Sequence, residues 1–463
     1  MARIELPPGL IGTENLPRTK RILQNIWNNG NGKGVQRPGI SSILTTSGDV
    51  ARGLFEWNGS LYKVVSQTLR KITNVTTGAS SAISGTIAGS APIKVAIGFN
   101  TATIVVPQSD GNIYTLDSLD TLTEVWDGVA ETGNSNFVSC IDLTHINGRF
   151  VYIPFNGDPA FFSDVGAAGT VQSDAFFDAE NLPDKNNAVF NGKDTLFITG
   201  TDSIQLFVDT GEDPVPFAQV TRSRILNGFI GGLLEYNNTF LFIGREKGED
   251  QGIYSIVQGG AAKISNETVD LILSKTEESI LAAAVTGRFK WRGYDIAHFS
   301  LADDSFAFFG GEWFRTETLI DGVSKPWTLG FLQEFEKTYY SLVNDKFGKL
   351  AKVNTDYGER MTRIMTLGFE QEDGEQFTVQ SLELGMSQGF NNGSGSVALS
   401  MSNDGLVFGE KFFIDTGDIG DYNNKMLWNF AGGLGTYPGF MGAQLYTAED
   451  IEMSVDYVSV KFR

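Results

Sequence analysis

The sequence predicts an all-β protein: a six- or seven-bladed β-propeller with an additional C-terminal β-sandwich-like region. Three observations carry this. The first is composition, with Gly 54 and Phe 34 against Pro 13 in 463 residues, which suits many short strands, tight turns and aromatic side chains packed between sheets. The second is a recurring hairpin, seen in "FEWNGSLYKV" (55–64), "THINGRFVYIPF" (144–155), "AVFNGKDTLFITG" (188–200) and "LEYNNTFLFIG" (234–244). In the first, large apolar residues flank Asn58–Gly59, the pair best suited to a type I′ turn. The third is that each hairpin is followed by a third apolar strand. Aligning Leu69, Ile113, Phe161, Ile204, Ile253, Phe306 and Leu350 gives intervals of 44, 48, 43, 49, 53 and 44. Propeller blades run to roughly 40–50 residues, and a lone blade-sized unit needs like neighbours to cover its faces.

In chain order, residues 1–45 read as an N-terminal arm, partly helical. Its "RTKRILQNIWNNG" places Ile22, Leu23, Ile26 and Trp27 on roughly one face. That face either packs on the propeller of its own chain or docks a partner. Residues 46–358 are the propeller. Within it "TNVTTGASSAISGTIAGSAP" (73–92) is small and polar and reads as a long loop between the first two units. Unit six is the weakest, because "RFKWRGYDIAHFSL" has no Asn-Gly turn. From 359 to 463 the strands lengthen ("FTVQSLELGMS", "SVALSMS", "IEMSVDYVSVKF") and read as a β-sandwich or jelly-roll. The other reading has the last strand closing the propeller ring.

Charge excludes one class of function. Lys+Arg 35 against Asp+Glu 55 gives a net charge of −20, a poor basis for gripping nucleic acid through phosphate neutralisation. The same charge suits a wall past which DNA slides without sticking. One cysteine, Cys140, excludes an internal disulfide and a Cys-rich zinc site. The N-terminus has no apolar signal-peptide region and no run approaches a membrane span, which points to a protein made in a cytoplasm.

Catalytic chemistry would have to use His145 or His298, and no H-E-x-x-H, G-x-S-x-G or Cys–His spacing surrounds either. "NNGNGKGVQ" (28–36) has Gly34 and Val35 where a phosphate loop needs Ser or Thr, so it reads as a connector. "SNDGLVF" (402–408) is a turn staple that occurs once. "DTGDIGDYNN" (415–424) gathers Asp415, Asp418 and Asp421 without the EF-hand order, and reads as a polar loop. No catalytic, cofactor or metal site is therefore expected. A sugar-binding or polysaccharide-degrading propeller is the alternative reading, with Trp313, Trp327 and Trp428 as candidate stacking rings.

Several stretches carry a likeness beyond pattern. "QRPGI" followed by "ARGLFEWNGSLYKV", then "AVFNGKDTLFITGTDSIQLFVDTGE", then "VALSMSNDGLVFGEKFFID" and "KMLWNFAGGLG" stand in this order. Together they resemble the packaged-DNA-stabilisation, or tail-hub, proteins of short-tailed bacteriophages, over about residues 37–463. The N-terminal 36 residues and the acidic "REKGEDQG" (245–252) depart from that likeness. The resemblance implies a structural virion protein without an active site, in the tail and assembled in the host bacterial cytoplasm. It further implies a homo-hexamer below the portal and its adaptor (head-completion) protein. Such a ring extends the DNA channel, helps retain packaged DNA and holds distal needle or tailspike proteins, while double-stranded DNA passes the lumen without specific binding.

Overall fold

The computed structural model describes residues 2–4, 23–29, 33–98, 100–109, 111–126, 137–178, 184–257, 260–327, 329–370, 375–389, 395–430 and 433–463. It contains a seven-bladed propeller. Six blades are consecutive four-stranded antiparallel sheets whose innermost strands are Ala51–Trp57, Lys94–Ile97, Cys140–Ile146, Asn186–Gly192, Asn227–Tyr236 and Val285–Trp291. The seventh combines Phe331–Phe335, Thr338–Val343 and Lys346–Ala351 with Gly39–Thr45 from the start of the chain. Successive innermost strands touch around the ring, and Phe331–Phe335 returns to Ala51–Trp57. The ring is thus closed by an N-terminal strand laid antiparallel on the last blade, with Leu350 opposite Ile40. The propeller therefore begins at Gly39, not at 46, and the C-terminal strand plays no part in closure.

The spacing of apolar residues accounts for the blades. Leu69, Ile113, Phe161, Ile204, Ile253, Phe306 and Leu350 all lie in third strands and all are buried. Side chains alternate between the two faces of a strand, so each blade serves two interfaces. In Ser60–Val65, Tyr62 and Val64 pack toward blade two, while Leu61 and Val65 pack toward Tyr340, Leu342 and Phe347 of blade seven. Each such buried side chain contributes roughly 1.5–3 kcal/mol relative to exposure. The turn at Asn58–Gly59 has φ of 47° and 66°, as a type I′ turn requires. Blade six makes the same turn with Arg292–Gly293, at φ of 50° and 85°, so the unit without Asn-Gly is a regular blade. Part of the segment 73–92 is also sheet: Ala79–Ala82 is the outer strand of blade one.

The sandwich is built from both ends of the chain. One sheet runs Ile26–Asn28, Gly34–Gln36, Val455–Phe462, Gln376–Met386, Met426–Asn429, with Ala2–Ile4 also paired to Val455–Phe462 and Gly435–Pro438 to Gln376–Met386. The facing sheet runs Leu23–Gln24, Arg363–Glu370, Phe440–Thr447, Ser396–Ser402, Phe412–Asp415. It does not stop there. Gln24 also pairs in parallel with Arg315 on the outer strand of blade six, Glu312–Arg315, so blade and sandwich share one nine-stranded sheet.

The arm reads in the sequence as partly helical; the described part of its stretch 18–30 forms strands instead. Leu23–Gln24 and Ile26–Asn28 are strands, separated by Asn25 at φ 59°, which turns the chain from one sheet into the other. Leu23, Ile26 and Trp27 are buried in the sandwich core, so their surface is used inside this chain instead of on a free face. Ile22 lies outside the described residues. The two described ends of the phosphate-loop look-alike, Asn28 and Gly34–Gln36, likewise lie in paired strands.

Candidate functional site

The residues that chemistry would need are held as structural groups. Cys140 is fully buried, and burial pushes its thiol up, away from a reactive thiolate. His298 is buried with Nε2 3.1 Å from Thr316 Oγ1 and its ring 5.0 Å from that of Trp327. Burial, and then the Arg37 charge, hold its imidazole down to about 3. His145 packs against Phe150 at 4.9 Å, far along the ring from His298 in sequence and blade, and burial lowers its pKa. Among the described residues no group of three His, Cys, Asp or Glu side chains is placed to hold a metal ion.

In the acidic loop 415–424 two carboxylates each give one oxygen to the loop's own backbone. Asp415 accepts from the Gly417 N–H at 2.8 Å and Asp421 from the Asp418 N–H at 3.1 Å. Asp404 caps its turn in the same way, accepting from Leu406 and Val407 N–H at 2.8 and 3.0 Å. Trp313, Trp327 and Trp428 are buried in cores, so none of the three offers a ring for sugar stacking.

Two other features stand out, one at each end of the sandwich. The first is the junction with the propeller, built from the stretch Gln36–Arg37–Pro38–Gly39. Arg37 is buried and uses all five of its N–H donors. Two go to Asp356, at 3.0 and 2.6 Å, and the others to Asn25 Oδ1 at 2.7 Å, Pro38 O at 2.9 Å and Glu317 O at 2.8 Å. Its guanidinium also lies 4.1 Å above the Trp327 ring. Asp356, fully buried, accepts further from Thr318 Oγ1 at 2.7 Å and Trp327 Nε1 at 3.1 Å. Asn25 completes the set by donating to Glu317 O and Thr362 O at 2.8 and 2.7 Å.

Around this centre, Gln36 accepts from Met453 N–H at 2.9 Å and donates to Asn354 at 2.9 Å. Gly39 lies so close to the 353–355 backbone that a Cβ would sit 2.4 Å from Thr355 O. At the rim, Glu452 of the sandwich meets Arg292 of blade six and, at 2.9 Å, Lys352 of blade seven. Burial pushes the Glu452 carboxyl up, but hydrogen bonds from those two cations outweigh it and leave the group below its ordinary value. Nothing in the sequence pattern of "QRPGI" assigns Arg37 a role. The available signal was an Arg–Pro–Gly run in an otherwise strand-forming stretch.

The second feature is the opposite edge of the sandwich, where Phe412–Asp415 ends one sheet and Met426–Asn429 ends the other. The two ends are tied by Trp428 Nε1 donating to Phe412 O at 2.8 Å and by the Phe412 and Phe430 rings, 4.9 Å apart. Leu406, Val407, Phe413, Ile419, Tyr422 and Phe430 are exposed here, Val407 by 73% and Ile419 by 66%. Elsewhere on the described sandwich no large apolar side chain is exposed to this degree. Apolar exposure concentrated at one place marks an interaction surface.

Comparison with known proteins places the chain in a family. A family model described as the bacteriophage P22 Gp10 β-propeller matches residues 14–310, and its companion, the P22 Gp10 β-sandwich, matches 362–456. The chain belongs to this phage family. A member, the tail hub protein gp10 of Salmonella phage P22, is 22% identical over 424 residues, covering 87% of this chain and 86% of that protein. The family's two domains, a β-propeller and a β-sandwich, are the two found here, and its role is structural, not enzymatic. Among solved structures, the N-terminal domain of Nup159 aligns with 71% of this chain and 98% of its own at TM-score 0.42 and 9% identity. The extracellular domain of a putative hybrid two-component system from B. thetaiotaomicron aligns with 77% of this chain and 45% of its own at TM-score 0.45 and 9% identity.

Proposed function

We propose that this chain is a tail-hub subunit of a phage virion, assembling as a ring of six beneath the portal and its adaptor protein. The ring extends the DNA channel, helps retain the packaged genome and holds the distal tail parts. The observation that carries this reading is the collinear match of both Gp10 domain models, with a P22 tail hub protein aligned over 87% of the chain. Physical features support it. The nine-stranded sheet and the buried Arg37–Asp356 network make propeller and sandwich a single unit, which suits a part that transmits load. A net charge of −20 keeps a passing polyanion from adhering to the walls.

Light scattering on purified protein, with negative-stain images of the same fraction and of its mixture with portal–adaptor complexes, tests the proposal. The expected result is a ring of about six subunits with a central hole, alone or on the adaptor. A compact trimer that binds polysaccharide overturns it.

A further inference from the structure

We propose that the open edge of the sandwich seats the N-terminal stretch 5–22 of the neighbouring copy in the ring; the inference rests on the ring reading above. The edge has a particular chemistry. Phe413, Ile419 and Tyr422 are exposed in the same stretch of chain as Asp415, Asp418 and Asp421, which makes it apolar and anionic together, and Val407 is exposed at the other end of the strand Ser396–Ser402. The two lysines of this region are already engaged: Lys411 Nζ sits 3.6 Å over the Tyr446 ring, and Lys425 Nζ is 3.2 Å from Glu383. Phe412–Asp415 and Met426–Asn429 each have one sheet neighbour among the described strands, so each leaves an edge facing outward. A fitting occupant is apolar and cationic.

The chain itself contains such a segment. Residues 5–22 read "ELPPGLIGTENLPRTKRI", with Leu10, Ile11 and Leu16 ahead of Arg18, Lys20 and Arg21, the densest cationic run in the sequence. In a closed ring of identical subunits every contact joins two different patches of the same chain. Subunits that each carry −20 repel unless cations of one meet carboxylates of the next. The edge and the stretch 5–22 supply that pairing. Reach allows it. Ile4 is paired with Val458 and Leu23 with Met365. The eighteen residues between them, at no more than about 3.3–3.6 Å each, allow an excursion out and back of about 30 Å, a length that lets the segment reach an adjoining subunit.

The test uses full-length protein, half of it 15N-labelled, mixed under ring-forming conditions and treated with a zero-length carbodiimide. Mass spectrometry is expected to find Lys20 joined to Asp415, Asp418 or Asp421, with heavy–light pairs making up about half of those links. Links found solely within single chains overturn the inference and assign the edge to the chain's own segment. A ring that forms without any such link overturns it while leaving the hub reading intact, whereas the lack of any ring, even on the adaptor, removes both. As an independent readout, Phe413→Asp with Ile419→Asp is expected to lower the ring fraction at least tenfold with an unchanged thermal midpoint. Should that pair fail to fold, Arg18→Glu with Lys20→Glu and Arg21→Glu applies the same test from the other side, and retention of full ring formation there refutes the inference.

Discussion

The two ends of the sandwich treat polar and apolar groups in opposite ways. At the propeller junction, ions are buried and every donor of Arg37 is used. At the far edge, large apolar side chains face outward, and Asp415 and Asp421 each give one carboxylate oxygen to their own turn. A buried ion pair contributes little net stability over a well-packed apolar substitute, but breaking it is costly because one charge stays behind unpaired. Such a contact fixes geometry. Exposed apolar area contributes nothing to the isolated fold and gains its value on association. The difference teaches that this chain is rigid where its own domains meet and prepared for contact where they end.

The largest effect is expected from breaking the junction. Arg37→Ala strands the Asp356 carboxylate in the interior, and a loss of about 3–5 kcal/mol is expected in urea unfolding. Arg37→Met combined with Asp356→Leu removes both charges, and most of that loss should return. A double variant as unstable as the single one would show that the geometry of the pair, and not its unpaired charge, sets the cost.

That this junction went unseen in the sequence has a physical cause. The blade period was legible because Asn58–Gly59 and Asn147–Gly148 are local turns and Leu69 through Leu350 recur at even intervals. Closure by Gly39–Thr45 pairs residues some 300 positions apart, and no local feature marks such a partner. Leu23, Ile26 and Trp27 carry helical spacing, yet Asn25 at positive φ divides them between two sheets. The spacing was real, but tertiary pairing overrode it. The open edge is half legible: "SNDGLVF" reads as a turn staple and "DTGDIGDYNN" as a polar loop, while the exposure of Phe413 and Ile419 depends on which strands end the sheets.

Acid sharpens the comparison next. His298 touches the junction through Thr316 and Trp327. Its pKa is about 3 in the folded chain and about 6.5 when unfolded. The neutral ring is the folded form, so its contribution is fully present above about pH 6.5 and is lost as pH falls toward 3. The unfolding free energy from urea titrations down this range should drop by an amount of order a few kcal/mol, and His298→Gln should flatten the drop. An unchanged slope in that variant would place the acid sensitivity elsewhere.

A smaller effect of opposite sign belongs to the propeller interior. Asp142 is buried between blades three and four and accepts from the Val189 N–H at 3.0 Å. Burial pushes its carboxyl up, so its contribution is present below its unfolded pKa and lost as pH rises. Asp142→Asn keeps an acceptor and removes the charge, so it should stabilise the protein at pH 7 and leave it unchanged near pH 3. Destabilisation at pH 7 would mean that the charge itself is needed there.

The smallest effect on stability is expected at the open edge, and that small size is what gives the comparison its force. Val407 is 73% exposed and lies in a turn held by Asp404, not by its own side chain. Val407→Ser removes apolar surface that is already in water, so the unfolding free energy should stay within about 0.5 kcal/mol of the parent. The same change should reduce association, read as a lower ring fraction by light scattering at matched concentration. A loss of stability as large as that of a core truncation, ~2 kcal/mol or more, would mean that Val407 is packed in the isolated chain. The edge would then be a second interior instead of a surface kept for a neighbour, and the contrast between the two ends of the sandwich would disappear.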